Sequence, residues 1–387
     1  MNYEGNQDIL QGGLGQCSKL QSMRKLLQRI FRKPVTWLAN RVSSRPVKKD
    51  VFASLDELIK NIHDGKEDSG FILPYNLEKG KFIVFSDQHK GAKDAADDFQ
   101  PAEVNYHTAL EYYYKNGFCL ANIGDCEELW ENTPDKVVEK SRKSLLEEAR
   151  FLLEDRYLRT FGNHDLEWKF SFQRELYLKG IFGKKLKVPE GVILKTIYNG
   201  EEYSILLTHG HQGDKQSDGN RFSMWIVAAI WTPIQRFLEI NINTTSDSFD
   251  LIDEHNIVMY EWSATKKNTL FISGHTHKPV FASLDHIERL LKQIQRATET
   301  GHTELVEALE KELARRRLEY GDKKFVKTMV KPTYFNTGCC CFSDGDITGI
   351  EIEGDNIRLI KWKTTNGTPE RIILEQCPLT YLFEELK

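Results

Sequence analysis

Five short apolar runs in this 387-residue chain each end in polar residues of the kinds that bind metal ions. The clearest run is Tyr157 to Phe161, which is followed at once by Gly162-Asn163-His164-Asp165. A buried strand explains the apolar run, and the glycine allows a sharp turn after it. Taken alone, the polar residues could simply begin a helix. The recurrence of the same pattern elsewhere in the chain favours a common role for these strand ends.

The other four runs have the same arrangement of an apolar strand followed by polar residues. They are Lys81–Phe85 before Ser86-Asp87-Gln88-His89, Phe118–Ile123 before Gly124-Asp125-Cys126-Glu127-Glu128, Tyr203–Thr208 before His209-Gly210-His211, and Asn268–Ser273 before Gly274-His275-Thr276-His277. Helical patterns at 103–116 and 134–155 alternate with the first three strands. This alternation predicts an α/β fold whose candidate ligands meet at the carboxyl ends of the strands. Further strand patterns at 334–338, 347–353 and 356–362 make the second half richer in strand, with the last two forming a hairpin.

The ligand candidates comprise two carboxylates, one amide and four imidazoles. They are Asp87, His89, Asp125, Asn163, His209, His275 and His277. Mixed nitrogen and oxygen ligands suit Mn²⁺, Fe or Zn²⁺, and the absence of thiolates from the set disfavours a structural zinc site. Seven ligands exceed what one such ion takes, whereas two ions that share a carboxylate would use them all.

In these motifs the sequence resembles the calcineurin-like metallophosphoesterase superfamily. The family pattern is Asp-X-His, Gly-Asp-X-X-Asp/Glu, Gly-Asn-His-Asp/Glu, His and Gly-His-X-His. The resemblance covers about residues 80–280 and the strands after 330. It implies a four-layer α/β/β/α sandwich, here with helical insertions, and a hydrolase that cleaves a phosphate ester or pyrophosphate with a hydroxide that bridges two metal ions.

The resemblance also implies a role for each motif residue. Asp87, His89 and His277 should hold one ion, Asn163, His209 and His275 the other, and Asp125 should bridge them. Two divalent ions, with Mn²⁺ first and Fe or Zn²⁺ as alternatives, would activate water. His164 should face the phosphate as the catalytic group, with Asp165 orienting its ring.

Three further features leave alternatives open. His211 shares a strand end with His209, and either contacts substrate or ligands, or makes a structural hydrogen bond. Glu128 either bonds a ligand histidine or caps a helix. The run Cys339-Cys340-Cys341 is interpreted as packing rather than ligation. The odd, irregular cysteines predict a reduced protein, and hence a cytoplasmic one.

The domain organisation is expected to be an N-terminal extension, 1–79, before a phosphoesterase domain, 80–387. The first 50 residues hold ten basic residues against three acidic ones, and residues 17–42 have helical periodicity. That segment either packs on the body or lies on an anionic membrane surface as a peripheral contact. No secretory signal or transmembrane run is present in the sequence. A charged helical hairpin at 284–320 offers a surface for oligomerisation.

The substrate is expected to be a phosphorylated small molecule or a lipid-linked nucleotide. An apolar insertion at 220–242 resembles the lid of the UDP-2,3-diacylglucosamine diphosphatase family, although His164 stands where that family commonly has Arg. The insertion either covers the site and holds acyl chains, or packs against the sandwich. The alternatives are a nuclease, a cyclic-nucleotide phosphodiesterase or a non-catalytic scaffold. The acidic body disfavours nucleic acid, because grooves that follow phosphates need Lys and Arg. A scaffold is disfavoured because all seven ligand candidates are retained.

Overall fold

The computed structural model describes residues 46–94, 97–213, 249–284, 286–299, 301–320 and 331–387. Two predicted segments, the amphipathic 17–42 and the apolar 220–242, therefore lie beyond the part of the chain that can be described. Within the described ranges, no helix combines the length and the apolar character that crossing a bilayer requires.

Ten helices and eleven strands make up the described fold. The helices are α1 (Lys48–His63), α2 (Glu103–Lys115), α3 (Pro134–Lys140), α4 (Arg142–Leu153), α5 (Ser171–Tyr177), α6 (Lys179–Phe182), α7 (Phe249–Ser263), α8 (His286–Glu299), α9 (Thr303–Tyr320) and α10 (Leu379–Glu385). The strands are β1 (Gly70–Pro74), β2 (Lys81–Phe85), β3 (Cys119–Ile123), β4 (Tyr157–Thr160), β5 (Gly191–Tyr198), β6 (Glu201–Thr208), β7 (Thr269–Ser273), β8 (Tyr334–Asn336), β9 (Ile347–Glu353), β10 (Asn356–Thr365) and β11 (Thr368–Pro378).

The strands form two sheets. Sheet one has six strands in the order β11-β10-β9-β2-β3-β4, and sheet two has five in the order β1-β5-β6-β7-β8. Strands β2, β3 and β4 are parallel, as are β6, β7 and β8, so each sheet carries one set of neighbouring strands whose carboxyl ends meet at one edge. Both sheets are mixed, because β9 runs antiparallel to β2 and β5 antiparallel to β6.

Alternating side chains of the strands build three apolar layers. On β2, Ile83 and Phe85 pack against the helices outside sheet one, whereas Val84 points between the sheets. On β6, Leu207 points between the sheets and Leu206 packs beneath the outer helices α1 and α7. The period of two along a strand thus places one face of each sheet against helices and the other against its partner sheet. The expected four-layer α/β/β/α sandwich is confirmed.

Several boundaries differ from the expectations. The helix expected at 134–155 is two helices, α3 and α4, that meet at Ser141. Residues 48–74, expected within the N-terminal extension, supply α1 and the edge strand β1, which pairs with β5 in parallel. The expected start of the body at residue 80 leaves these two elements out, because pairing with a distant strand is not visible in local sequence. Helices α8 and α9 occupy the expected hairpin segment, between β7 and β8.

Candidate metal centre

The five strand ends bring the candidate ligands together along facing edges of the two sheets. Sheet one contributes Asp87 and His89 after β2, Asp125 after β3 and Asn163 after β4. Sheet two contributes His209 after β6, and His275 and His277 after β7. All except His277 are buried, and the His277 side chain is 20% exposed.

One half of the cluster joins Asp87, His89 and His277. The His277 Nε2 atom lies 3.2 Å from Asp87 Oδ1 and 3.2 Å from His89 Nε2. The His89 Nδ1 atom donates to Glu128 Oε2 at 3.0 Å, which directs the His89 Nε2 atom toward Asp87 and His277. Three potential ligand atoms therefore converge, as a bound cation requires.

The other half joins Asn163, His209 and His275. The His209 Nδ1 atom donates to the Ile123 carbonyl at 3.0 Å, which leaves Nε2 to point into the cluster. That nitrogen faces Asp125 Oδ2 at 3.0 Å and Asn163 Oδ1 at 3.2 Å. The His275 Nε2 atom is buried without a hydrogen-bond partner among the described residues. Two oxygen atoms that converge on one imidazole nitrogen, with an orphaned nitrogen beside them, fit a divalent cation in place of a proton on His209.

Asp125 lies between the two halves. Its Oδ2 atom is 3.0 Å from His209 Nε2 and 3.8 Å from His89 Nε2, and its Oδ1 atom accepts the His164 amide at 2.8 Å. A Cβ atom at Gly162 would overlap the same carboxylate, so this close approach of two loops requires glycine. Asp125 thus occupies the position expected for a group shared by two ions.

The backbone is strained at five of the seven candidate positions. Asp87, His89, Asp125, His275 and His277 have φ angles of 52°, 48°, 51°, 69° and 58°. Residues other than glycine rarely adopt this left-handed conformation, and such strain collects at functional sites. The pattern indicates that the fold holds these side chains in place at a cost to the backbone.

Charges within the cluster oppose the effect of burial. Burial favours a neutral Asp125, but His209 and His164 outweigh it and hold the pKa of this carboxyl well below its ordinary value. Burial disfavours a charged His209, yet Asp125 raises the pKa of His209 to about 9. Burial together with His255 and His209 holds the pKa of His275 well below its ordinary value. The cluster therefore combines an ionised carboxylate with a neutral imidazole, and a divalent ion would take the place of the proton on His209.

His164 lies at the rim of the cluster, with 22% of its side chain exposed. Its Nδ1 atom bonds Glu128 Oε2 at 2.7 Å, and its ring stands edge-on to the His89 ring at 4.7 Å. Glu128 therefore orients His164 and also makes the expected contact with His89.

Asp165 does not orient His164, contrary to the expectation. Its carboxylate accepts hydrogen bonds from the amides of Gly162, at 2.6 Å, and Cys126, at 3.0 Å, and pairs with Arg159 at 3.2 Å. Because neighbouring side chains diverge, Asp165 turns into the core while His164 faces outward. Asp165 thereby joins the loop after β4 to the loop after β3.

His211 and the Cys339-Cys340-Cys341 run both lie close to the candidate ligands. His211 is buried 5.4 Å, ring to ring, from His209, and its Nδ1 atom has no partner in the described ranges. Burial, followed by the charge of His209, lowers the pKa of His211 to about 3. Cys341 Sγ lies 3.9 Å from His277 Nδ1. None of the six cysteines in the described part of the chain forms a disulfide bond.

Sequence reasoning missed several residues around the site. Trp130 stacks on His164, and His255 lies with its ring 5.0 Å from that of His275. Behind the loops lies a buried ion network of Lys90, Glu127, Glu148, Arg159 and Asp165. Trp130 could have been found, because it follows Glu128 by two residues. His255 and Glu148 come from helices α7 and α4, and Arg159 from strand β4, with no motif to mark them.

The fold and the site define an α/β/β/α sandwich with candidate divalent-metal ligands at its strand ends. No protein-family model matches the chain, and no curated protein matches it. Solved structures give distant matches. Vacuolar Protein Sorting 29 from Cryptosporidium parvum is 12% identical, with 78% of this chain and 99% of that chain covered and a TM-score of 0.32.

Two structures of Vps29 from Entamoeba histolytica are similarly distant. A single mutant and the wild type complexed with Zn²⁺ are each 14% identical, with 76% of this chain and 99% of that chain covered. Their TM-scores are 0.26 and 0.25 respectively. At these identities and TM-scores we draw no conclusion from the likeness.

Proposed function

We propose that this protein is a phosphoesterase that depends on two divalent metal ions and hydrolyses a phosphate ester or pyrophosphate. The observation that supports it most is the convergence of Asp125 and Asn163 oxygens on the Nε2 atom of His209, where a divalent ion can take the place of the proton. The left-handed backbone at five candidate ligands supports the same conclusion.

The chain divides its ligands into two sets in this proposal. Asp87, His89 and His277 hold one ion, Asn163, His209 and His275 hold the other, and Asp125 serves both. When bound, such ions supply Lewis acidity toward phosphoryl oxygens and lower the pKa of water. The donor set of carboxylate, amide and imidazole fits Mn²⁺, Fe or Zn²⁺.

His164 acts on the leaving group in this proposal. An oxygen from water forms the new bond to phosphorus, the bond to the leaving oxygen breaks, and that oxygen takes a proton from Nε2 of protonated His164. The Glu128 carboxylate holds Nδ1, which leaves Nε2 as the atom that faces substrate. The proton that the attacking water loses goes to solvent, and the imidazole takes up a proton from solvent at the end of the cycle.

A lipid-linked nucleotide is the finer part of the proposal. The apolar composition of 220–242 supports it, and so do exposed apolar side chains that follow the Gly162–Asp165 loop. Phe170, Phe172 and Leu176 are 52%, 70% and 58% exposed. These side chains offer apolar surface to an acyl chain. Hydrolysis of nucleic acid and a scaffold role remain the competing functions that the experiment must separate.

A substrate panel with matched variants tests the proposal. Protein loaded with Mn²⁺ is assayed on p-nitrophenyl phosphate, bis-p-nitrophenyl phosphate, UDP-2,3-diacylglucosamine, a bare UDP-sugar and single-stranded DNA. We expect Asp125→Ala and His275→Ala each to lose about 10²-fold or more in kcat on the preferred substrate, since each removes a group that positions charge in the transition state. His302→Ala, at an exposed histidine before α9, is the control and should keep wild-type activity.

Each result has a definite meaning. Wild-type turnover by Asp125→Ala contradicts the two-ion assignment. Preference for the acylated UDP-sugar over the bare one supports the lipid-linked substrate. Preference for DNA contradicts it and identifies the protein as a nuclease. Failure of the metal-loaded protein to cleave any of the substrates favours a scaffold.

A further inference from the structure

Trp130 covers one face of the His164 ring. The two ring centroids are 4.1 Å apart and the planes differ by 17°, which is a stacked geometry. The indole Nε1 atom donates to the Asn163 carbonyl at 2.6 Å, so the stack is tied to the backbone beside a candidate ligand. Stacking on an imidazole strengthens when that ring carries a proton, because the indole face attracts cations.

Glu128 holds the same imidazole by its edge. One oxygen, Oε2, accepts from Nδ1 of both His164 and His89, at 2.7 Å and 3.0 Å. The other, Oε1, accepts the amide of Trp130 at 3.2 Å, and the Leu129 amide donates to the His164 carbonyl at 3.1 Å. Three consecutive residues thus fix the plane, the rotation and the tautomer of His164.

Core packing is the alternative role for Trp130, and the structure disfavours it. Trp130 is only half-buried and belongs to none of the three apolar clusters formed by the described residues. Its indole nitrogen bonds the loop that bears His164 rather than a neighbouring core element. The Trp130 side chain therefore orients His164 rather than filling the core.

We propose that Trp130 is the positioning residue of His164, which it holds against the Glu128 carboxylate so that Nε2 meets the leaving oxygen of the substrate. The catalytic half of this inference rests on the proposed phosphoesterase function, whereas the positioning half is a property of the protein alone. Substitution of Trp130 should then disturb His164 even when no substrate is present.

The first test is spectroscopic. In histidine-labelled, metal-free protein, the His164 signals are identified by their loss in His164→Gln. The stacked indole should shift the ring protons of His164 upfield. Trp130→Leu should remove this shift, Trp130→Phe should keep most of it, and Tyr381→Leu, at an exposed aromatic residue of α10 outside the site, should leave it unchanged. An unchanged His164 spectrum in Trp130→Leu overturns the inference.

The second test is kinetic and uses two esters with the same phosphoryl group and different leaving groups, p-nitrophenol and phenol. We expect Trp130→Leu to lower kcat by about 10²-fold for the phenyl ester, the scale of effect that misplacing a catalytic group produces, and less for the p-nitrophenyl ester, which needs little protonation. KM should change little, and Trp130→Phe should recover most of kcat. Equal losses for both esters, or equal losses in both variants, contradict the positioning role.

The two proposals fail in different ways. If wild-type protein cleaves neither ester, the proposed phosphoesterase function fails. The His164 spectrum then decides the positioning half by itself, since a shift lost in Trp130→Leu supports it and a shift that is absent from wild type overturns it.

Discussion

At the scale of single residues, the site depends on charged side chains that have been taken entirely out of water. Lys90, Glu127, Glu148 and Asp165 are fully buried and Arg159 is 1% exposed. Burial of a charge is costly unless it is paired, and here each cation contacts two carboxylates. This network holds the loops after β3 and β4 in their positions beneath the candidate metal centre.

Removing one charge from the network should destabilise the fold strongly. Glu127→Gln leaves Arg159 and Lys90 short of a partner, and we expect the free energy of unfolding to fall by about 3 kcal/mol or more in urea. Glu111→Gln breaks a partly exposed pair with Arg150 and serves as the control, at about 0–1 kcal/mol. Similar losses in the two variants would contradict a buried network.

Glu167 should make stability depend on pH. Burial, followed by the charges of Asp165 and Glu128, raises the pKa of Glu167 from 4.5 to about 7. The folded protein then holds a proton that the unfolded chain releases, so this contribution is present at low pH and is lost as the pH rises through 7. The free energy of unfolding of Glu167→Gln, relative to that of wild type, should rise by about 2 kcal/mol as the pH increases from about 5 to about 8. A difference that does not vary with pH, measured by denaturant unfolding, would exclude this role.

At the scale of elements, each candidate ligand follows a short parallel strand, and a small residue at the turn lets two loops meet. Gly162 leaves space for the Asp125 carboxylate, and Gly274 leaves space for Asp87 from the opposite sheet. A single methyl group would therefore act on a side chain far away in sequence. The turn glycines set distances between loops rather than within them.

Gly162→Ala should displace Asp125 and so impair the centre. We expect loss of metal-dependent activity and of stabilisation by Mn²⁺, since the added Cβ overlaps the carboxylate. Gly180→Ala is the matched control, because it lies in α6 with open space around it, and it should be neutral or stabilise the fold by about 0.4–1 kcal/mol. Thermal unfolding with and without Mn²⁺ measures both effects. Equal responses of the two variants would argue against the steric role of Gly162.

At the scale of the whole molecule, the candidate centre joins the two sheets. Asp87, His89, Asp125 and Asn163 come from sheet one, while His209, His275 and His277 come from sheet two. An apolar layer also lies between the two sheets. An ion bound across the two edges would add a contact that the unfolded chain lacks.

Divalent metal should therefore stabilise the folded chain through both sheets. Saturating Mn²⁺ should raise Tm, by an amount equivalent to about 3 kcal/mol at a hundredfold excess over Kd. Asp87→Ala and His277→Ala remove one ligand from each sheet and should reduce the shift alike, whereas His302→Ala should not. A full shift in either ligand variant would contradict an ion shared between the sheets, and a chelator should reverse the shift in wild type.

The candidate ligands and the class of the fold could be predicted without coordinates. A strand that ends in polar residues is a local pattern, so Asp87, Asp125, Asn163 and the paired histidines could be found without coordinates. Their common location followed from the rule that ligands collect at the carboxyl ends of parallel strands. The alternation of strands with helices likewise predicted the α/β class.

Which side chains contact one another could be read only from the folded structure. Glu128 and Trp130 orient His164, and Asp165 points toward Arg159. Strand β1, which lies in the expected extension, pairs with β5 in sheet two. These outcomes depend on contacts between residues distant in sequence and on the direction in which each side chain leaves a strained loop. Local periodicity predicts neither the contacts nor these directions, because side chains are buried and paired only when the two sheets pack together.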